Sequence, residues 1–170
     1  MSLDQLWAGW RMAYVSSAGI EPAAGTLDGS ECVFCAIFEA SLDDAARMVV
    51  WRGERVLAML NAFPYASGHL MVMPTRHVRE LDELGVDETT ELWEGVRRAV
   101  GALKRAYRPD GCNLGVNLGR AAGAGIPGHL HVHVVPRWIG DTNFMTATAS
   151  VRVLPEALSD SYARLSGAWQ

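Results

Sequence analysis

Residues 129–135 read His-Leu-His-Val-His-Val-Val, so three of the chain's five histidines occupy alternate positions of one short run. Side chains of a strand point to opposite faces in turn. The spacing therefore predicts that Leu130, Val132 and Val134 enter a core while His129, His131 and His133 line the other face, about 7 Å apart. Gly128 and Pro136 bound the run as strand punctuation. With an ordinary pKa near 6.5, imidazole can serve as a neutral nucleophile, an acid or a metal ligand. A solvent-facing strand that carries histidines by chance is the bland alternative, and the strict alternation speaks against it. The segment leading into the run, Gly119 to Gly128, holds four glycines in ten residues. Such a loop can turn backbone N–H groups toward phosphate oxygens. Flexible turns use the same residues, but direct entry into the histidine run favours the phosphate reading.

A second constellation is Cys32-Val33-Phe34-Cys35. Two thiolates at this spacing can share a zinc ion, yet two ligands do not complete a tetrahedral site. A redox dithiol and a pair of plain buried cysteines are the rivals. Distant histidines would have to supply the remaining ligands, and His77 and His129 are candidates. His69, alone after Gly68, is the type of histidine that more often serves a structural hydrogen bond. Asn61, eight residues earlier, can contact either a ligand or the intervening turn.

These residues need elements to position them. Met48–Trp51 and Val56–Leu60 read as strands joined by a turn at Gly53-Glu54, and His69–Met73 as a third strand closed by Pro74. A helix is predicted from Glu88 to Tyr107, capped by Asp87. Leu92, Val96, Val100, Leu103 and Tyr107 recur on one of its faces, and Pro109 and Gly111 stop it. Asn113–Leu118 is a fourth strand, with Asn113, Gly115 and Asn117 on one face. The histidine run is the fifth. Short connections imply an α+β domain, an antiparallel sheet with a long helix packed on it. The tail from Pro155 to Trp169 reads as a final helix.

The chain has 170 residues, enough for one domain with a substantial core. Its net charge of −4 argues against a nucleic-acid surface, and a polyanionic ligand would need local positive groups. No apolar run reaches the roughly 18 residues of a membrane span. The first fifteen residues lack the apolar core of a signal peptide, and three cysteines do not make a disulfide framework. A cytoplasmic chain is expected.

The motifs together resemble the histidine-triad (HIT) family. The run from His129 to Val135 matches its His-φ-His-φ-His-φ-φ signature, φ being apolar. The likeness continues through Asn61, Gly68-His69-Leu70-Met71-Val72-Met73-Pro74-Thr75-Arg76-His77, and Cys32 with Cys35. It divides the chain into an arm and connector (1–30), a HIT domain (31–137) and a C-terminal extension of that domain (138–170). The resemblance implies a HIT-like fold with a five-stranded antiparallel sheet and a long helix. It implies His131 as the nucleophile that takes a nucleotidyl group from an α-phosphate, His133 as a hydrogen-bond donor to that phosphate, and His129 as the first of the triad. Asn61 would hold the ribose and Asn117 would lie near the bridging oxygen, with His69 also at the substrate site. Cys32, Cys35, His77 and His129 would bind a structural zinc, as all four ligands are protein groups. No organic cofactor is implied.

The chain departs from the family's hydrolases, which carry Gly-Gln-Ser/Thr shortly before the first histidine. Here Gly123-Ala124-Gly125-Ile126-Pro127-Gly128 is one residue longer, with Gly125 in place of Gln and Ile126 in place of the hydroxyl. The segment Leu6-Trp7-Ala8-Gly9-Trp10-Arg11-Met12-Ala13-Tyr14 resembles the arm of a bacterial branch that includes diadenosine tetraphosphate phosphorylases. Trp138 is expected at the cleft's edge. These features favour inorganic phosphate over water as acceptor. A hydrolase of dinucleoside polyphosphates or nucleoside phosphoramidates, a nucleotide-binding module without turnover, and a catalytic metal on the histidine run are the rivals. HIT domains pair so that two sheets join. A homodimer or a dimer of dimers is therefore expected, with Trp7, Trp10, Trp93, Trp138 and Trp169 supplying apolar surface.

Overall fold

The computed structural model describes residues 32–40, 43–141 and 156–170, so the expected arm lies outside the described residues. Its frame is a five-stranded sheet in the order β1-β2-β3-β5-β4, every neighbouring pair antiparallel. The strands are β1 (Val49–Arg52), β2 (Val56–Leu60), β3 (Leu70–Pro74), β4 (Gly111–Val116) and β5 (Val132–Arg137). The helices are α1 (Val33–Glu39), α2 (Val86–Tyr107) and α3 (Leu158–Ala168). This is the α+β architecture that the short connections predict.

Alternation decides what each face of the sheet buries. On one side Val56, Ala58, Leu60, Leu70, Val72, Val132 and Val134 pack against Leu92, Val96, Ala99, Ala102 and Leu103 of α2. Leu165 of α3 joins the same core. On the other side Leu57, Met59, Met71 and Met73 meet Cys32 and Phe34 of the α1 segment. Burial on both faces explains why β2 and β3 read as continuous apolar runs. β5 lies inside the sheet, with His133 opposite Met71 on one neighbour and Gly115 on the other. A Cβ at Gly115 would meet nothing within 4 Å, so the space beside His133 stays open.

Several boundaries differ from the sequence reading. α2 starts at Val86, because the Glu88 carboxylate reaches back to accept the Gly85 N–H at 3.0 Å, and Asp87 falls in the first turn. β4 begins at Gly111 and ends at Val116, so Asn117 and Leu118 lie in the following loop. The β5 ladder begins only at Val132, while Leu130 donates its N–H to the Val78 carbonyl at 2.7 Å. The tail helix runs over Leu158–Ala168, and Trp169 stacks on Trp51 with centroids 5.7 Å apart. That ring is therefore spent inside the chain. α1 was not foreseen, although Phe34, Ile37 and Phe38 carry a helical spacing.

Candidate active site

His131 is 6% exposed and lies against the Phe34 ring, with centroids 5.4 Å apart. Its Nδ1 is 2.8 Å from the His129 carbonyl oxygen. A carbonyl only accepts, so Nδ1 carries the proton and Nε2 is left with its lone pair. Burial, outweighing that hydrogen bond, pushes the His131 pKa below its ordinary value, so the ring is neutral at pH 7.

His133 carries the opposite arrangement. The Tyr65 backbone N–H donates to Nδ1 of His69 at 3.1 Å, which leaves the His69 proton on Nε2. That Nε2 lies 3.0 Å from Nδ1 of His133, so His69 donates and His133 accepts. The His133 proton is consequently on Nε2. Burial first, and then the neighbouring His131, push its pKa down to about 4. The two rings stand with centroids 4.8 Å apart and nearly perpendicular. A lone pair and an N–H donor thus sit side by side, which is what in-line attack on a phosphoryl group with a stabilised oxygen requires.

The sequence allows His69 as a substrate contact or as a lone structural histidine. It is fully buried behind His133, which places it one step from any ligand. Gly68 makes this possible with φ +80°, and a Cβ there would lie 2.7 Å from Cε2 of Tyr107. Tyr65, which the sequence reading missed, tilts over both His69 and His133 at 4.6 and 5.8 Å.

Asn61 directly follows β2, and its Oδ1 accepts the Phe63 N–H at 2.8 Å, so it shapes the turn that leads to Tyr65 and His69. Asn117 stands one residue past the end of β4, and therefore near the start of β5. Ile126 packs on the cluster of Phe34, Met59, Met71 and Met73, which brings the glycine-rich loop onto the histidine face. Part of that loop is closed on itself, as Gly123 and Ala124 donate their N–H groups to the carbonyls of Arg120 and Gly119. The N–H groups of Gly125 and Ile126 take no backbone acceptor among the described residues.

Trp138 is not brought to this site within the chain. It follows β5 at the end away from His131, about 17 Å along the strand from His133. Its ring packs edge-on against Tyr107 of α2 at 6.2 Å, on the helix side of the sheet. Within the chain, this placement follows from parity. Position 138 shares its face with Val132 and Val134, not with the histidines.

His129 turns away from the other two toward the cysteines. Its Nε2 lies 2.9 Å from the Pro74 carbonyl oxygen and donates to it, leaving Nδ1 as an acceptor. That Nδ1 is 3.4 Å from Sγ of Cys32 and 3.7 Å from Sγ of Cys35. Nδ1 of His77 is 3.4 Å from Sγ of Cys35. All four donor atoms fall within 4.8 Å of one another. Zinc held tetrahedrally by S at 2.3 Å and N near 2.05 Å sets those atoms about 3.5 Å apart. The Cys₂His₂ set fits such an ion in type, number and spacing. Pro74 supplies the outer hydrogen bond that fixes a ligating imidazole's tautomer. Burial, with Cys32 adjacent, pushes the Cys35 thiol up to about 11, a cost that a divalent cation would reverse.

Comparison with known proteins agrees with this geometry. The HIT domain model matches residues 44–138. The AP-4-A phosphorylase of Mycobacterium tuberculosis is 41% identical over 167 residues, covering 98% of this chain and 85% of that one. The asymmetrical bis(5'-nucleosyl)-tetraphosphatase of Schizosaccharomyces pombe is 34% identical over 89 residues, 52% of this chain and 48% of its own. Among solved structures, a zinc-bound histidine triad family protein from Mycobacterium smegmatis superposes with a TM-score of 0.65. It is 29% identical, and the match covers 81% of this chain and 92% of that one. Family match, fold and paired imidazoles agree, and the chain belongs to the HIT family.

Proposed function

We propose that this protein cleaves dinucleoside polyphosphates, diadenosine tetraphosphate above all, at an α-phosphate and passes the nucleotidyl group to inorganic phosphate. The complementary tautomers of His131 and His133 carry the proposal. Nε2 of His131 attacks the α-phosphorus; a P–N bond forms and the P–O bond to the leaving polyphosphate breaks. Nε2–H of His133 and the N–H groups of Gly125 and Ile126 stabilise charge on the phosphoryl oxygens. In the second step an oxygen of inorganic phosphate attacks the same phosphorus, the P–N bond breaks and a nucleoside diphosphate leaves. Asn61 holds the ribose from its place at the end of β2, and Asn117 faces the leaving oxygen. His129 contributes through its carbonyl, which orients His131, and through the Cys₂His₂ set. That set would hold a structural zinc, since all four candidate ligands are protein groups.

The acceptor follows from Gly125 and Ile126, which leave no amide or hydroxyl side chain to position water. The mycobacterial relative's name supports the same choice. Given diadenosine tetraphosphate, the enzyme should yield ADP and ATP only when phosphate is added, as resolved by ion-exchange chromatography. AMP and ATP in phosphate-free buffer would identify a hydrolase, the activity named for the fission-yeast relative. Two ADP would show that attack is not at the α-phosphate, and inactivity on a broad nucleotide panel would favour a binding module.

Assembly is part of the proposal. β4 is a sheet edge, and Leu114 and Leu118 beside it are 49% and 37% exposed. An open edge with apolar side chains favours pairing with a second sheet. Light scattering at micromolar concentration should report a homodimer or a dimer of dimers, and a monomer would refute this. No helix among the described residues is long and apolar enough to cross a membrane.

A further inference from the structure

Attack on a tetraphosphate brings several negative charges to the site around His131 and His133. Among the described residues, the side chains gathered there (Phe34, Asn61, Tyr65, His69) carry no formal cation. The chain itself has a net charge of −4, so no global attraction compensates. Arginines on other parts of the sheet are occupied: Arg137 binds Asp141 and Asn113, Arg76 binds Glu88, and Arg52 binds Asp44.

Arg120 differs from these. It is exposed, and its side chain has no hydrogen bond or ion pair with another described residue. It opens a single 3₁₀ turn, Arg120–Ala122, set between Gly119 at φ +71° and Gly123 at φ +86°. The bonds from Gly123 and Ala124 back to Arg120 and Gly119 make that turn a small closed unit. The loop spans residues 117–131, far beyond what joining two antiparallel neighbours requires. Its two ends meet at the Val116–Val132 pair, directly beside His131 and His133. Four residues of chain, no more than about 14 Å, separate Val116 from Arg120. Ile126 ties the returning limb to the histidine face. An unpaired guanidinium thus sits on the loop whose two ends meet beside His131 and His133, within about 14 Å of chain from that pair.

Resting on the activity proposed above, we propose that Arg120 binds the phosphates beyond the attacked one, and so selects polyphosphates over substrates with a single phosphate. Guanidinium groups suit this role because they present several donors to phosphate oxygens. Steady-state kinetics of the full-length protein on diadenosine tetraphosphate and on adenosine 5'-phosphoramidate test it. Arg120→Ala should raise KM for the tetraphosphate about tenfold with a much smaller change in kcat. The preference for the tetraphosphate in kcat/KM should fall by a similar factor. Arg120→Lys should recover most of that preference, and the rise of KM with added salt should be steeper for wild type than for Arg120→Ala. An equal loss on both substrates, an unaltered tetraphosphate KM, or an effect confined to the KM of inorganic phosphate overturns the assignment. A wild-type protein inactive on the tetraphosphate overturns instead the reading on which it rests.

Discussion

His131→Ala should fold, bind adenine nucleotides and lose turnover of diadenosine tetraphosphate by about three orders of magnitude or more. The reason lies in the assigned proton positions. Nε2 of His131 is the ring's free lone pair, because Nδ1–H is committed to the His129 carbonyl at 2.8 Å. No neighbouring group can take over that lone pair. His133 presents a proton in its place, and the His129 ring is occupied by Pro74 and the cysteines. Circular dichroism and nucleotide titration would show that the variant keeps its structure and site, while rapid-quench trapping should find the nucleotidyl adduct in wild type alone. Activity within tenfold of wild type would remove His131 from the nucleophile's role.

Disrupting the Cys₂His₂ set should be nearly as damaging, through stability first. Protein purified without chelator should carry about one zinc per chain by elemental analysis. Cys35→Ser should lower that content and reduce the midpoint of thermal unfolding on the order of 10 °C, as loss of several kcal/mol implies for a domain of this size. The effect should reach the chemistry as well. The His129 imidazole is one of the four candidate ligands, and its carbonyl accepts the hydrogen bond that sets the His131 tautomer. A metal that fixes His129 would therefore also fix the orientation of His131. Turnover should fall on chelation and return with zinc. Metal-free protein of full stability and activity would show that the cysteine pair is merely packed beside two histidines.

Much of this was legible in the sequence because periodicity is local. Alternation in His129–Val134 and in β4 assigns faces without reference to any other part of the chain, and the helical spacing of Leu92, Val96 and Leu103 does the same for α2. The sequence also shows that two cysteines and two histidines of ligand type are present, though not that they meet. Local rules failed where competing groups were equally suitable. Glu88 rather than Asp87 closes the start of α2, since a longer carboxylate can reach back to the Gly85 N–H.

The remaining decisions belonged to the sheet. Cys32 and His129 are 97 residues apart, and His69 and His133 are 64 apart, so no spacing rule relates them. Antiparallel pairing of β3 with β5 sets His69 behind His133, and the direction of that contact fixes which nitrogen of His133 carries its proton. Tertiary structure likewise carried Trp138 to the helix side against Tyr107. Residue types and their alternation thus determined which groups could act and on which face. Strand order, through hydrogen bonds between distant segments, decided which imidazole offers a lone pair, which offers a proton, and which turns toward the thiols.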